Sequence, residues 1–229
     1  MLRRRLILYA ALFAGTFTIT VYACAADGLW TDPRDPSLPP SFTIQGEYVG
    51  QIKGGDKLGA QVIALGGDSF QAVVYPGGLP GAGWDGKNKI LMDGKLTSAG
   101  ANFTPAEGKK KYLGKSAAEF SATSTFPPDG HKAFAAAIAG DTMTGKTDDG
   151  KSFELKKTVR QSPTLGKAPP QGATVLFDGS DQSMANWQGV RLDGKTKLLN
   201  TDGKDIKTKG KFNNYTMHVE FMLPYKPAA

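Results

Sequence analysis

The chain has 229 residues, of which 40% are hydrophobic and 21% charged, with 29 glycines, 14 prolines and a single cysteine. That length admits one large or two modest domains, and the wealth of glycine over helix-favouring residues sets helical architectures aside in favour of an all-β class. The formal charge of +7 is spread over many lysines; beyond the opening arginines, Lys109-Lys110-Lys111 is the one dense run and no aromatic-and-basic stripe accompanies it, so nucleic acid is not an expected partner.

The opening residues read as a secretory signal. Arg3, Arg4 and Arg5 form a basic start, Leu6 to Val21 an apolar run, and Ala23-Cys24-Ala25 a small-x-small cleavage site. Cleavage before Ala26 is expected, because the apolar run is shorter than the roughly 20 residues that span a bilayer; a retained anchor and acylation of Cys24 are the lesser alternatives. Cleavage removes Cys24 and with it any disulfide, and leaves 25 of the 28 basic residues against 21 acidic ones. The expected location is secreted or periplasmic, with no stable membrane insertion afterwards.

Residues 26–41, with Asp32-Pro33, Asp35-Pro36 and Pro39-Pro40, read as a linker, since proline removes backbone donors and blocks helix. A first β-domain is expected over 42–159. Its predicted strands are Phe42 to Ile52, Gly59 to Leu65, Phe70 to Tyr75, Lys89 to Leu96, Glu119 to Phe126, Phe134 to Ala139 and Ser152 to Val159. Gly66-Gly67-Asp68, Asp93-Gly94, Gly140-Asp141 and Asp148-Asp149-Gly150 supply the positive φ of hairpin turns. The pattern predicts an antiparallel meander, as a curled sheet or a small barrel that closes where Gly46–Gly50 meets Gly145–Leu155. Lys115 to Phe120 and the alanine-rich Lys132 to Ala139 offer helix as an alternative.

Arg160 to Gly172 reads as a second linker. From Ala173 a second unit begins, with a strand at Thr174 to Phe177 and turns at Asp178-Gly179, Asp193-Gly194 and Asp202-Gly203. The best-defined strand follows: Tyr215, Met217, Val219, Phe221 and Leu223 alternate with Asn214, Thr216, His218, Glu220 and Met222.

Gly81-Ala82-Gly83-Trp84-Asp85-Gly86 matches the dinucleotide pattern, yet Lys87-Asn88-Lys89-Ile90 leads into a strand where that site needs a helix N-terminus. A glycine loop carrying Trp84 remains, and Trp84 is either a sugar-stacking residue or a plug of the β-domain. His131 has no second histidine or cysteine at ligand spacing, and the Asp-Gly-Lys turns lack the ligand ladder of a calcium loop, so neither metal nor cofactor is expected. His218 and Glu220, two apart on a predicted strand, share its polar face roughly 7 Å apart. Such a pair suits acid/base or sugar-binding chemistry, and equally a solvated face.

Leu176-Phe177-Asp178-Gly179, Asn186-Trp187, Ile206-Lys207-Thr208-Lys209, Phe212 and Tyr215-Thr216-Met217-His218-Val219-Glu220-Phe221 together resemble the 3-keto-disaccharide hydrolase domain family. The resemblance spans about residues 173–224, roughly the first third of such a domain, so 173–229 is expected to be the truncated start of one. Leu58-Gly59-Ala60-Gln61-Val62 and Tyr75-Pro76-Gly77-Gly78-Leu79-Pro80-Gly81 look like the extra N-terminal β-domain of some members. The resemblance implies an incomplete concanavalin A-like jelly roll and hydrolysis of 3-keto-glycosides outside the cytoplasm. It carries over Glu220 alone as a catalytic candidate, and His218 and Trp84 stand as substrate-binding candidates on the residue reading above; Met222 stands where members usually have arginine. Two functions follow as expectations: an exported glycoside-active hydrolase, or a non-catalytic carbohydrate-binding or cell-envelope module.

Overall fold

The computed structural model describes residues 28–228, and the expected signal segment, Cys24 included, lies outside the described residues. By internal contacts the chain divides into two units: the chain up to Val159 together with the segment from Leu223 onward, and Arg160–Met222.

In the first unit a short helix α1 (Pro40–Ile44) precedes strands β1 (Gly46–Ile52), β2 (Lys57–Gly66), β3 (Ser69–Pro76), β4 (Ile90–Thr97) and β5 (Gly100–Pro105). After the two-residue strands β6 (Lys111–Tyr112) and β7 (Phe120–Ser121) come β8 (Ala135–Ala139), β9 (Thr142–Lys146) and β10 (Ser152–Thr158). Eight of these strands form a closed antiparallel barrel in the order β1-β10-β9-β8-β5-β4-β3-β2. Closure falls at the expected place, with Gly50 opposite Leu155 in the β1–β10 ladder, and it removes both free edges of the sheet.

Alternation fills the interior. Tyr48, Leu58, Ala60, Val62, Phe70, Ala72, Val74, Ile90, Met92, Phe103, Ile138, Met143, Phe153 and Leu155 belong to one buried apolar cluster, as an eight-stranded barrel requires, its lumen being just wide enough for side chains. Glycine makes room for the largest of them. Inward-facing Gly94 lies opposite Phe103 in the β4–β5 ladder, and a Cβ there would stand 2.4 Å from the Phe103 ring. Gly145 lies opposite Phe153 and a Cβ would again come within 2.4 Å of that ring. Each phenylalanine thus packs over a bare backbone on the neighbouring strand.

Asp93-Gly94 is therefore mid-strand, not a hairpin turn. Its glycine answers a steric need inside the barrel. The other three expected turns hold, with positive φ at Gly66, Gly67, Asp68, Gly140 and Gly150. Alanine-rich 135–139 is strand β8, because its Ile138 completes the core between β5 and β9; barrel pairing overrides helix propensity. Of the strand expected over Glu119 to Phe126 only Phe120–Ser121 forms.

Between β5 and β8 the chain crosses the outside of β3 and β4. Val73, Tyr75, Leu79, Leu91 and Ala106 form a second buried cluster there, with Trp84, Ala122 and Phe126 packed against it. The excursion is pinned by fully buried Gln71, which donates to Asp93 Oδ1 and to the Phe120 carbonyl, both at 3.0 Å, and accepts from the Ala122 amide at 2.7 Å. Lys110 Nζ donates to Asp93 and to the Ala118 carbonyl. A polar residue at this depth is tolerated because every bond it needs is made.

Residues 30–44 are not a free linker. Trp30, Leu38 and Phe42 pack against the main core and Ile44 is buried in it, while Tyr48 donates its hydroxyl to the Ile44 carbonyl at 2.6 Å. Among the described residues no helix is long and apolar enough to cross a membrane.

The second unit holds a 3-10 helix, Gln182–Asn186, and the two-residue strands β11 (Trp187–Gln188), β12 (Arg191–Leu192), β13 (Leu199–Asn200) and β14 (Lys207–Thr208), paired as β11–β14 and β12–β13. The strand expected over Tyr215 to Leu223 does not form. Its residues carry no strand assignment, and Tyr215, Met217, Val219, Phe221 and Leu223 are all exposed. Thr174 to Phe177 is likewise irregular. Alternation prepares a strand but supplies no ladder partner, and no described segment of this unit pairs with either stretch.

Candidate functional site

The second unit gathers the short motifs that the sequence separates. Asp178 Oδ1 accepts from the Ser180 amide at 2.9 Å and the Ser180 hydroxyl at 2.6 Å, an Asx turn that starts the loop into the 3-10 helix. Asn186 Nδ2 and Trp187 Nε1 both donate to the Leu176 carbonyl, at 3.1 and 2.9 Å. Trp187 pairs with Thr208 and Gln188 with Lys207. Leu176-Phe177-Asp178-Gly179, Asn186-Trp187 and Lys207-Thr208 are therefore one folded cluster whose polar side chains serve the local backbone. Beside it Arg191 and Asp202 form a two-bond pair at 3.2 and 2.9 Å. The spacing of charges along the sequence gave no sign of that pair.

His218 and Glu220 come together at their side-chain tips. His218 Nε2 lies 3.0 Å from Glu220 Oε1, and the same oxygen accepts from the Gly166 amide at 2.5 Å. Both side chains stay accessible, at 53% and 39%. The hydrogen bond from His218, then that from Gly166, holds the Glu220 carboxyl below its usual range; both favour the charged form. The result is an ionised, solvent-facing carboxylate with an imidazole fixed on one oxygen. Sequence reasoning found the pair but not the amide of Gly166, 54 residues away, because a backbone donor leaves no sequence signal.

Trp84 belongs to the first unit and to a different environment. Its indole Nε1 donates to the Asn88 carbonyl at 2.7 Å, its ring meets Tyr75 edge-on at 5.1 Å, and Lys89 Nζ stands 5.1 Å from the ring centre. Half-buried and bonded, it packs on the second cluster. The glycine loop that carries it is closed backbone to backbone: a Cβ on Gly77 would lie 2.5 Å from the Gly83 carbonyl oxygen. That geometry suits a plug over β3 and leaves no helix N-terminus for a pyrophosphate.

His131 is a structural bridge. Its Nδ1 accepts from the Leu91 amide and its Nε2 faces the Ala106 carbonyl, both at 3.2 Å. With Nδ1 accepting, the proton sits on Nε2 and the ring continues the β4–β5 ladder. Among the described residues no three histidine, cysteine or carboxylate side chains cluster as metal ligands would. An open groove crosses the outside of β1, β9 and β10, lined by Val49, Gln51, Thr144, Lys146 and Glu154 among others; Glu154 there pairs with Lys156 at 3.1 Å.

Compared with family models, curated proteins and solved structures, the chain has no match.

Proposed function

We propose that this is an exported protein acting on 3-keto-glycosides through its second unit, with Glu220 as the working carboxylate and His218 as its partner. The observation that carries the reading is the 3.0 Å contact between His218 Nε2 and Glu220 Oε1 on an accessible surface. A ketone at C3 of a sugar acidifies the C2 proton, so a positioned base suffices to start loss of the C1 substituent, and addition of water to the resulting alkene completes a net hydrolysis. An ionised carboxylate and an imidazole in hydrogen-bond contact are the side chains such proton transfers require. The folded cluster of Leu176 to Gly179, Asn186-Trp187 and Lys207-Thr208 supports the resemblance on which the substrate class rests.

The test is turnover of a 3-keto-glucoside by the purified protein, beside Glu220→Gln and His218→Ala. Release of the aglycone that falls at least about 100-fold in Glu220→Gln, with substrate binding retained, supports the assignment. Saturable sugar binding without turnover in the parent protein replaces it with a non-catalytic carbohydrate-binding module.

A further inference from the structure

The chain leaves the barrel after Val159 and rejoins it at Leu223, and the return is anchored at Tyr225, with the Pro227 backbone lying against Gly66. Tyr225 and Trp30 exchange both backbone bonds of an antiparallel bridge, the Trp30 amide donating to the Tyr225 carbonyl at 2.9 Å and the Tyr225 amide to the Trp30 carbonyl at 2.8 Å. The Tyr225 ring is only 8% exposed, held by Phe42 edge-on at 5.1 Å and by Trp30 at 5.7 Å. Its hydroxyl lies 2.7 Å from the Ser41 hydroxyl. Trp30 is itself fixed by donating to Ser37 Oγ at 3.1 Å, so the receiving surface is braced by the barrel unit's own residues.

The flanking residues contribute shape. Pro224 and Pro227 lack amide protons and restrict φ, and the residues before them, Leu223 and Lys226, are biased to extended backbone. The segment is extended at little entropic cost, as in other proline-rich ligands that dock on aromatic surfaces. Leu223 is 77% exposed, so the anchoring falls to Tyr225.

We propose that the barrel end formed by Trp30, Ser41 and Phe42 is a binding site for an extended Pro-Tyr-Lys-Pro peptide, and that its resident occupant is the chain's own Pro224–Pro227. The site reads one tyrosine: two rings hold its faces and edge, a serine its hydroxyl, and a main-chain bridge its backbone. A tethered occupant has an effective concentration in the millimolar range, so a free peptide competes poorly with it until the resident tyrosine is removed. The inference is independent of any activity of the second unit.

The test uses the full chain and the blocked peptide Leu-Pro-Tyr-Lys-Pro, with Leu-Pro-Ala-Lys-Pro as control. In Tyr225→Ala the tyrosine peptide is expected to bind saturably and at least about tenfold more tightly than to the parent chain, and the alanine peptide not at all. Equal binding of the tyrosine peptide to both proteins, or to neither, overturns the proposal. Ser41→Ala keeps every ring in place and serves if Tyr225→Ala does not fold. Amide exchange at Trp30 and Tyr225 is then expected to quicken by about tenfold, the loss of one buried hydrogen bond; unchanged exchange at both overturns it. A parent chain that dimerises with rising concentration, and does not when Tyr225 is replaced, overturns the intramolecular assignment.

Discussion

The strand β2 and the segment Tyr215 to Leu223 begin from the same kind of sequence, an apolar residue at every second position. In β2, Leu58, Ala60, Val62 and Ala64 are buried beneath β1 on one side and β3 on the other. Along Tyr215 to Leu223, Tyr215, Met217, Val219, Phe221 and Leu223 have no ladder partner among the described residues, and all are exposed. The intrinsic preference of the two segments is alike. What differs is the long-range pairing that turns a period of two into a buried face, and that pairing supplies most of the stability of a sheet.

The contrast is broken most directly by removing one phenylalanine from each region. Phe153→Ala takes away a ring only 3% exposed that covers Gly145 and packs on Phe134. It is expected to destabilise the barrel by about 3–5 kcal/mol, read from the denaturant midpoint. Phe221→Ala, at a site 76% exposed, is expected to shift the same transition by less than about 0.5 kcal/mol. Equal losses at the two sites would show that Tyr215 to Leu223 is packed in solution.

A smaller effect tests how the long excursion is held on the barrel. Gln71→Ala leaves the Ala122 amide without its acceptor and removes the bonds to Asp93 and Phe120. A cost of about 1–3 kcal/mol is expected, with amide exchange accelerated over 110–123 and unchanged in β1 and β10. Uniform acceleration would mean that the excursion and the barrel open as one.

The smallest effects are those of pH: buried tyrosines of the barrel act in alkali, and hydrogen-bonded carboxylates act in acid, in the turns of the first unit at Asp85 and Asp149 as well as in the second unit. Burial, with Asp141 adding to it, pushes the Tyr48 phenol up from 10.0 to about 12. Below pH 10 its contribution to stability is complete; above it the unfolded chain ionises first, so the barrel's melting temperature is expected to fall between pH 10 and about 12. Tyr75 and Tyr225 are raised as well, chiefly by burial, so Tyr48→Phe is expected to reduce that alkaline loss without abolishing it. In the second unit Asp178, Asp193, Asp202 and Glu220 are all held low, chiefly by hydrogen bonds. Their contribution is present above the ordinary carboxylate range and is lost as pH falls through and below it. Amide resonances of Ser180 and Thr196 are therefore expected to move in acid while those of the barrel strands stay. An acid transition that begins in the barrel would reverse the comparison.

Sequence alone determined the all-β class, most of the first unit's strands though not Gly100–Pro105 or Thr142–Lys146, and the place where its sheet could close, because period-two burial and positive-φ turns are local properties written residue by residue. It also singled out His218 and Glu220, since an imidazole and a carboxylate two positions apart are visible in one dimension. Only the tertiary structure decided what depends on distant partners. Gly94 looks like a turn until Phe103 is placed across it, and 135–139 reads as strand or helix until β5 and β9 flank it. Gly166 cannot be tied to Glu220, nor Tyr225 to Trp30, before the chain is folded. Tyr215 to Leu223 shows the same limit from the other side: the sequence prescribes which side chains share a face, and pairing across the chain decides whether that face exists.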